Sequence, residues 1–264
     1  MTSHSQYSER FSGIQQLYGT HKAKIIPKLH ICVIGIGGVG SWAVEALARS
    51  GIGEITLIDN DDIALSNINR QIHTLDKTIN QSKVSAMQDR VLQINPECRC
   101  YAIDDLVTPN NLSKYFHQES PFDYVIDAID SAQQKSALIY YCKRNKIPII
   151  TTGGAGGLID PTAIEIIDLS KTYNDPLAAK VRSSLRYHYN FSRNPKRRFG
   201  IECVFSNEQQ VYPQYDGSVG QKKNHIKGVT LDCNFGYGSS SCVTSVFGFA
   251  AAARAIEKAI IKAM

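Results

Sequence analysis

The residues of this chain that could do chemistry gather in its first half. Gly35-Ile36-Gly37-Gly38-Val39-Gly40 follows a short apolar run and opens a helical pattern, and Asp59 ends the next apolar run 19 residues beyond Gly40. Glycines let the backbone approach a phosphate closely, and a helix N-terminus offers free N–H groups and a positive dipole end. A carboxylate at the tip of the second strand accepts bonds from a ribose hydroxyl. The pattern is that of a nucleotide site; the bland alternative is a glycine-rich turn without a ligand.

The residues after Asp59 bear on which nucleotide. They run Asp59-Asn60-Asp61-Asp62 and Ser66-Asn67-Ile68-Asn69-Arg70-Gln71, with Lys83 beyond them and Asp127 and Asp130 ending a later run. A nicotinamide site needs an apolar pocket for hydride transfer and has no use for so many charges near phosphates. An ATP site does: Arg and Lys neutralise the triphosphate and the charge that develops during attack, while an Asp holds a magnesium ion bridging phosphate oxygens. Taken singly, Arg70 or Lys83 is equally a surface charge, and Asp127 equally a helix cap.

The elements that must position these residues alternate. Strands are expected at 31–34, 54–58, 99–103, 124–128 and 148–151, with helices at 39–49, 82–93 and 131–145 between them. That order predicts an α/β fold, a doubly wound and mostly parallel sheet with helices on both faces. A turn at Gly153, Gly154, Gly156 and Gly157 precedes a further strand at 163–168. A helical piece at 176–187 leads into a polar, loop-rich stretch from Asn190 to Leu231, expected to be an insertion or lid, and 241–263 reads as a closing helix.

Composition sets the bounds. At 264 residues, 43 % hydrophobic and 20 % charged, the chain has the makings of a globular core and is neither collagen-like nor disordered. The apolar run at 243–253 stops at Arg254, short of the roughly 20 residues that span a bilayer. The N-terminus is polar, and the seven cysteines are odd in number and scattered, which suits a reducing cytoplasm; peripheral attachment to a membrane stays open. No Cys-x-x-Cys pair occurs, so no zinc is expected. The net charge of +5 is uneven: residues 171–228 hold eleven Lys or Arg against four acids, and the rest of the chain eighteen against twenty. A basic segment on a slightly acidic body points to a polyanionic partner.

Gly35 to Gly40, Asp59-x-Asp61, Ser66-Asn67-x-x-Arg70-Gln71, Gln81-Ser82-Lys83 and Asp127-x-x-Asp130 together resemble the adenylation domain shared by ubiquitin-activating enzymes and the bacterial activators of sulfur-carrier proteins. Within that superfamily, Arg10-Phe11-Ser12-Gly13, Ser41-Trp42, the run from Thr151 to Gly157, and Lys171-Thr172 followed by Asp175-Pro176-Leu177-Ala178 resemble the tRNA threonylcarbamoyladenosine dehydratase branch. The resemblance implies a Rossmann-like ATP-binding adenylation domain over 1–169, with a basic insertion and closing helix over 170–264 packed on the same domain. It implies ATP with Mg²⁺, and a monovalent cation in some members of the branch. Gly37, Gly38 and Gly40 would face the phosphates, Asp59 the ribose, and Asn67 and the catalytic Arg70 and Lys83 the triphosphate, with Gly35, Asp61 and Gln71 also in the nucleotide site. Asp130 would sit nearest the metal and the attacked phosphorus, with Asp127 the second candidate. Sulfur-carrier activators commonly carry a second Arg where Gly13 stands here, and many carry zinc-binding cysteine pairs that this chain lacks.

The implied reaction is ATP-dependent cyclisation of threonylcarbamoyladenosine in tRNA through an acyl-adenylate. Two rivals stand beside it: an activator of a ubiquitin-like sulfur carrier, and a non-catalytic nucleotide-binding adaptor in sulfur transfer. Arg182, Arg186, Arg193, Lys196, Arg197 and Arg198, interleaved with Tyr187, Tyr189 and Phe191, suit a folded RNA, with a solvated helix face as the alternative. Cys233 would be a sulfur acceptor for a cysteine desulfurase system, or simply a small buried hydrophobe. The superfamily further implies a homodimer.

Overall fold

A computed structural model describes residues 3–116, 122–222 and 237–264, with the backbone alone over 3–5. Two N-terminal helices, α1 (Ser3–Arg10) and α2 (Ser12–Ala23), precede β1 (His30–Ile34), α3 (Gly40–Arg49) and β2 (Glu54–Asp59). Next come α4 (Lys83–Ile94), β3 (Arg99–Asp104), α5 (Leu112–Tyr115), β4 (Tyr124–Asp127), α6 (Ala132–Arg144) and β5 (Ile149–Thr152). The chain continues through β6 (Ile164–Asp168), α7 (Pro176–His188), β7 (Glu202–Ser206), the short pair β8 (Tyr212–Pro213) and β9 (Val219–Gly220), and ends in α8 (Ser241–Ala263).

Seven strands form one sheet in the order β3-β2-β1-β4-β5-β7-β6. Every neighbouring pair is parallel except β6 with β7. β1 is central and all five of its residues are buried, as expected of a strand covered on both faces. Alternation along it splits the core in two. Ile31 and Val33 face the layer of α3, α4 and α8, whereas Cys32 and Ile34 face α5, α6 and α7.

One part of the expected lid is sheet instead. Glu202–Ser206, inside the stretch read as polar and loop-rich, is β7, wedged between β5 and β6. Cys203, Val204 and Phe205 are fully buried. Within that polar stretch Ile201 to Phe205 does read as strand-like, and five residues with a buried apolar centre suffice for an inserted strand; its place between β5 and β6 is what the local pattern does not signal. α8 lies along α3 with small residues at the contact: a Cβ on Gly248 would come within 2.5 Å of the Val39 carbonyl oxygen. Among the described residues no helix is long and apolar enough to cross a membrane.

Candidate active site

The parallel strands β1, β2, β4 and β5 deliver their C-terminal ends to one edge of the sheet, where the strand order turns back on itself beside β1. The glycine loop sits there, and its glycines divide by role. Gly35 has φ +87°, and a Cβ on it would lie 2.7 Å from the Ala128 carbonyl oxygen; one on Gly40 would meet the Gly35 oxygen at 1.8 Å. These two close the turn. Gly37 and Gly38 are different: an added Cβ would meet nothing nearer than Gln71 Nε2 at 3.8 Å and the Arg70 and Thr244 side chains at 3.5 Å. Their backbone is the open wall of the cradle, just ahead of the N-terminus of α3, where N–H groups favour an anion.

Asp59 ties this loop to β2. Its carboxylate accepts from the Ile36 N–H at 2.5 Å and from the Asp61 N–H at 2.9 Å. Burial pushes its carboxyl up from the usual range, opposed by the nearby Lys83 charge and both N–H groups. Lys83, the first residue of α4, is 6 % exposed, and its Nζ donates to Asp61 Oδ2 at 2.6 Å. Asn67 Oδ1 accepts from the Ala64 N–H at 3.1 Å and fixes the short turn that leads to Arg70.

Arg70 is 8 % exposed, yet among the described residues its guanidinium donates only to neutral acceptors, the Ser66 carbonyl at 2.8 Å and Asn69 Oδ1 at 3.0 Å. A buried cation without a carboxylate is an expensive arrangement unless an anion completes it. The backbone beneath it is fixed from two helices, since Trp42 Nε1 and Thr244 Oγ1 both donate to the Arg70 carbonyl, at 2.9 and 3.3 Å. The start of α8 thus buttresses a residue 174 positions earlier.

Buried polar atoms without partners mark the same place. Ser41 Oγ, Gln71 Oε1, His73 Nδ1, Thr74 Oγ1 and Ser82 Oγ, in the first turn of α3, the 71–74 segment and the position before Lys83, have no hydrogen-bond partner among the described residues. Such atoms call for solvent or a polar ligand. Burial lowers the His73 pKa to about 4, so its ring is neutral at pH 7. Because Nε2 lies 2.8 Å from the Ile36 carbonyl oxygen, Nε2 carries the proton and Nδ1 is an acceptor. Open backbone at Gly37 and Gly38, two buried cations and the unsatisfied hydroxyls of Ser41, Thr74 and Ser82 make a donor set fit for a nucleoside triphosphate, with Gln71 Oε1 and His73 Nδ1 as acceptors beside it.

The two aspartates after β4 part company. Asp127 is fully buried, with Lys135 Nζ at 3.0 Å from Oδ1, the Thr151 hydroxyl donating to Oδ2 at 2.7 Å and the Ile129 N–H donating to Oδ1 at 3.1 Å. Burial pushes its carboxyl up, and these three partners hold it down. Its carboxylate binds the floor of the site together and does not face solvent. Asp130 is exposed and, among the described residues, makes no hydrogen bond or ion pair. Among the described residues no three or more His, Cys, Asp or Glu gather to hold a metal ion. One free carboxylate beside substrate phosphates is, however, how Mg²⁺ is usually bound.

Sequence reasoning missed Lys135 and the site role of Asp175. A lysine in an amphipathic helix reads as surface, and nothing nearby signals that Lys135 is 1 % exposed. Asp175 did leave a sign, an Asp followed by Pro at a helix start. Its Oδ1 caps α7 through the Ala178 N–H at 2.9 Å, while Oδ2 accepts from the Gly154 N–H at 3.0 Å. α7 is thereby pinned to the glycine turn after β5.

Of the six basic residues read as an RNA surface, Arg193, Lys196, Arg197 and Arg198 are exposed. Arg182 and Arg186 are half-buried; Arg182 donates to the Thr172 hydroxyl, and Arg186 lies 5.4 Å from the centre of the Phe199 ring. Cys233 lies outside the described residues.

Residues 10–260 match the ThiF family. The chain is 51 % identical to a tRNA threonylcarbamoyladenosine dehydratase of Escherichia coli (strain K12), over 97 % of this chain and 96 % of that one. It is 52 % identical to a tRNA threonylcarbamoyladenosine dehydratase of Haemophilus influenzae, over 97 % and 95 %. A crystal structure of the E. coli dehydratase TcdA in complex with ATP superposes with a TM-score of 0.84 at 48 % identity, covering 97 % of this chain and 96 % of that one.

Proposed function

The chain belongs to the ThiF family, and from that premise we propose that it is an ATP-dependent tRNA threonylcarbamoyladenosine dehydratase acting through carboxylate adenylation. The observation that carries this reading is the length of the similarity to such dehydratases, 97 % of the chain. It takes in the basic segment as well as the glycine loop. The buried, carboxylate-free Arg70 beside the open Gly37 and Gly38 backbone supports it independently.

In this reading ATP is a substrate. The Gly37, Gly38 and Gly40 backbone at the α3 N-terminus holds its phosphates, Asp59 its ribose, and Arg70 and Lys83 the triphosphate charge, with Asn67, Asp61 and Gln71 setting their positions. An oxygen of the threonyl carboxylate attacks the α-phosphorus, the bond to the bridging oxygen breaks, and pyrophosphate leaves. The ureido group of the same nucleoside then attacks the acyl carbon, AMP departs with the former carboxylate oxygen, and the ureido proton passes to solvent. The nucleoside has lost the elements of water. The protein neutralises charge and orients two reactants, which is where most of the rate is gained. Mg²⁺ would be held by Asp130 with phosphate oxygens and would supply further charge neutralisation. Asp127 serves as a positioning residue, since Lys135 and Thr151 occupy its carboxylate. Cys233 has no step in this scheme.

Incubation with ATP and tRNA bearing threonylcarbamoyladenosine should release pyrophosphate and yield a nucleoside one water lighter by mass spectrometry. Pyrophosphate release with a sulfur-carrier protein in place of tRNA would move the assignment to a carrier activator. ATP binding without turnover on either would leave an adaptor.

A further inference from the structure

The opposite edge of the sheet holds a second feature that the adenylation scheme does not use. Where β4, β5 and β7 begin and β6 ends, a cavity of about 1040 Å³ opens between the C-terminal ends of α6 and α8. Its floor is apolar, with Ile147, Ile167 and Ile201 among its lining. Its rim carries Lys143, Lys146, Lys171, Arg198, Lys258 and Lys262, all exposed. Among the described residues none of these six cations has a carboxylate within ion-pair distance, and Lys171 donates to the Pro195 carbonyl at 2.6 Å.

The two acids in the lining are occupied elsewhere. Asp168 accepts from the N–H groups of Ser170, Phe199 and Gly200 at 2.9, 2.9 and 2.7 Å. Glu202 lies 3.4 Å from Arg254. The cavity therefore gathers six Lys or Arg side chains against two carboxylates, a net positive charge on a shaped surface that favours an anion with several charges.

Continuity narrows the class. The Lys171 bond to Pro195 anchors the 193–198 loop at the rim, and Arg198 at the end of that loop lines the cavity. At its start, Arg193 borders a second hollow on α7 with Arg186 and Tyr187. A strip of basic and aromatic residues thus runs from α7 into the cavity. β4 and β5, each four residues long, separate the cavity from the ATP edge by about 13 Å plus the flanking loops. A structured RNA spans that distance and a mononucleotide does not.

Resting on the dehydratase reading, we infer that this cavity is a backbone-binding site for the substrate tRNA, holding phosphates remote from the nucleoside that reacts. Phosphate contacts of this kind position an RNA without reading its sequence.

The test compares the full-length protein with its Lys143→Ala/Lys258→Ala/Lys262→Ala variant in binding an unmodified tRNA transcript across a range of salt. Three lost phosphate contacts should weaken affinity by about tenfold or more near 0.1 M salt and reduce the slope of log affinity against log salt by about two to three. ATP affinity should stay within twofold, because none of the three residues touches the glycine loop. Unchanged tRNA affinity and slope in a variant that binds ATP normally would overturn the inference. So would unchanged tRNA binding together with lost binding to phosphatidylglycerol vesicles, which would make the cavity a lipid site. Should the unsubstituted protein bind no tRNA, the dehydratase reading itself fails and this inference with it.

Discussion

Lys83 Nζ stands 2.6 Å from Asp61 Oδ2, a buried ammonium paired with a carboxylate that faces solvent. The pair keeps the lysine extended along the edge where the triphosphate is to lie, and an incoming phosphate can compete for it because Asp61 is 63 % exposed. Lys83→Ala should therefore lower ATP-dependent pyrophosphate release by about 100-fold or more, the scale of losing one preorganised charge contact. The fold should persist, since the partner left behind, Asp61, is 63 % exposed and stays solvated, so the change strands no buried charge. Pyrophosphate release beside a thermal melt separates the two effects.

Asp127 and Lys135 form the opposite kind of pair. Both are sealed from solvent, and each depends on the other and on Thr151. Removing either partner leaves a buried charge, so Asp127→Asn or Lys135→Met should each cost about 3–5 kcal/mol. The double replacement should cost less than the sum. Urea unfolding of all four proteins gives the coupling directly, and a purely additive result would mean that the pair does not interact.

His73 sets a pH window. Its folded pKa of about 4 lies below its ordinary value of 6.5. Between those values the unfolded chain binds more protons, so the contribution of His73 is complete above pH 6.5, shrinks as the pH falls and is exhausted below about 4. Lowering the pH from 7.5 to 5 should erode the stability of the parent by about 2 kcal/mol relative to His73→Gln. The comparison cancels Asp59, Asp127 and Asp175, whose carboxyls burial shifts upward.

How far the sequence revealed this site depends on what each residue signals locally. The glycine loop, Asp59 and the α3 start carry spacing that survives without a structure, because phosphate binding at a helix N-terminus is a property of a few consecutive residues. α8 was legible from Ser241 to Ala263, since its apolar stripe repeats for more than five turns. Its buttressing of Arg70 through Thr244 was not, because no local pattern encodes a contact across 174 positions. Lys135 escaped for a related reason: a lysine is buried only when its partner is near in space, and its partners Asp127 and Thr151 lie at the ends of β4 and β5 while Lys135 itself is on α6. β7 was visible as a short apolar run but not as a member of the main sheet.

The glycines offer the sharpest separation of structure from chemistry. Gly35 has φ +87° and no room beside Ala128, so Gly35→Ala should destabilise the fold by about 2–3 kcal/mol or more, whether or not ATP is present. Gly38 lies outside the left-handed region, and its added methyl would meet Arg70 and Thr244 only at ordinary contact distance. Gly38→Ala should therefore melt within a few degrees of the parent while binding ATP about tenfold or more weakly, because the methyl projects where phosphate oxygens approach the backbone. Calorimetric ATP binding and thermal melts of the two variants decide the matter. Normal ATP affinity in a stable Gly38→Ala protein would remove this face of the loop from the nucleotide site.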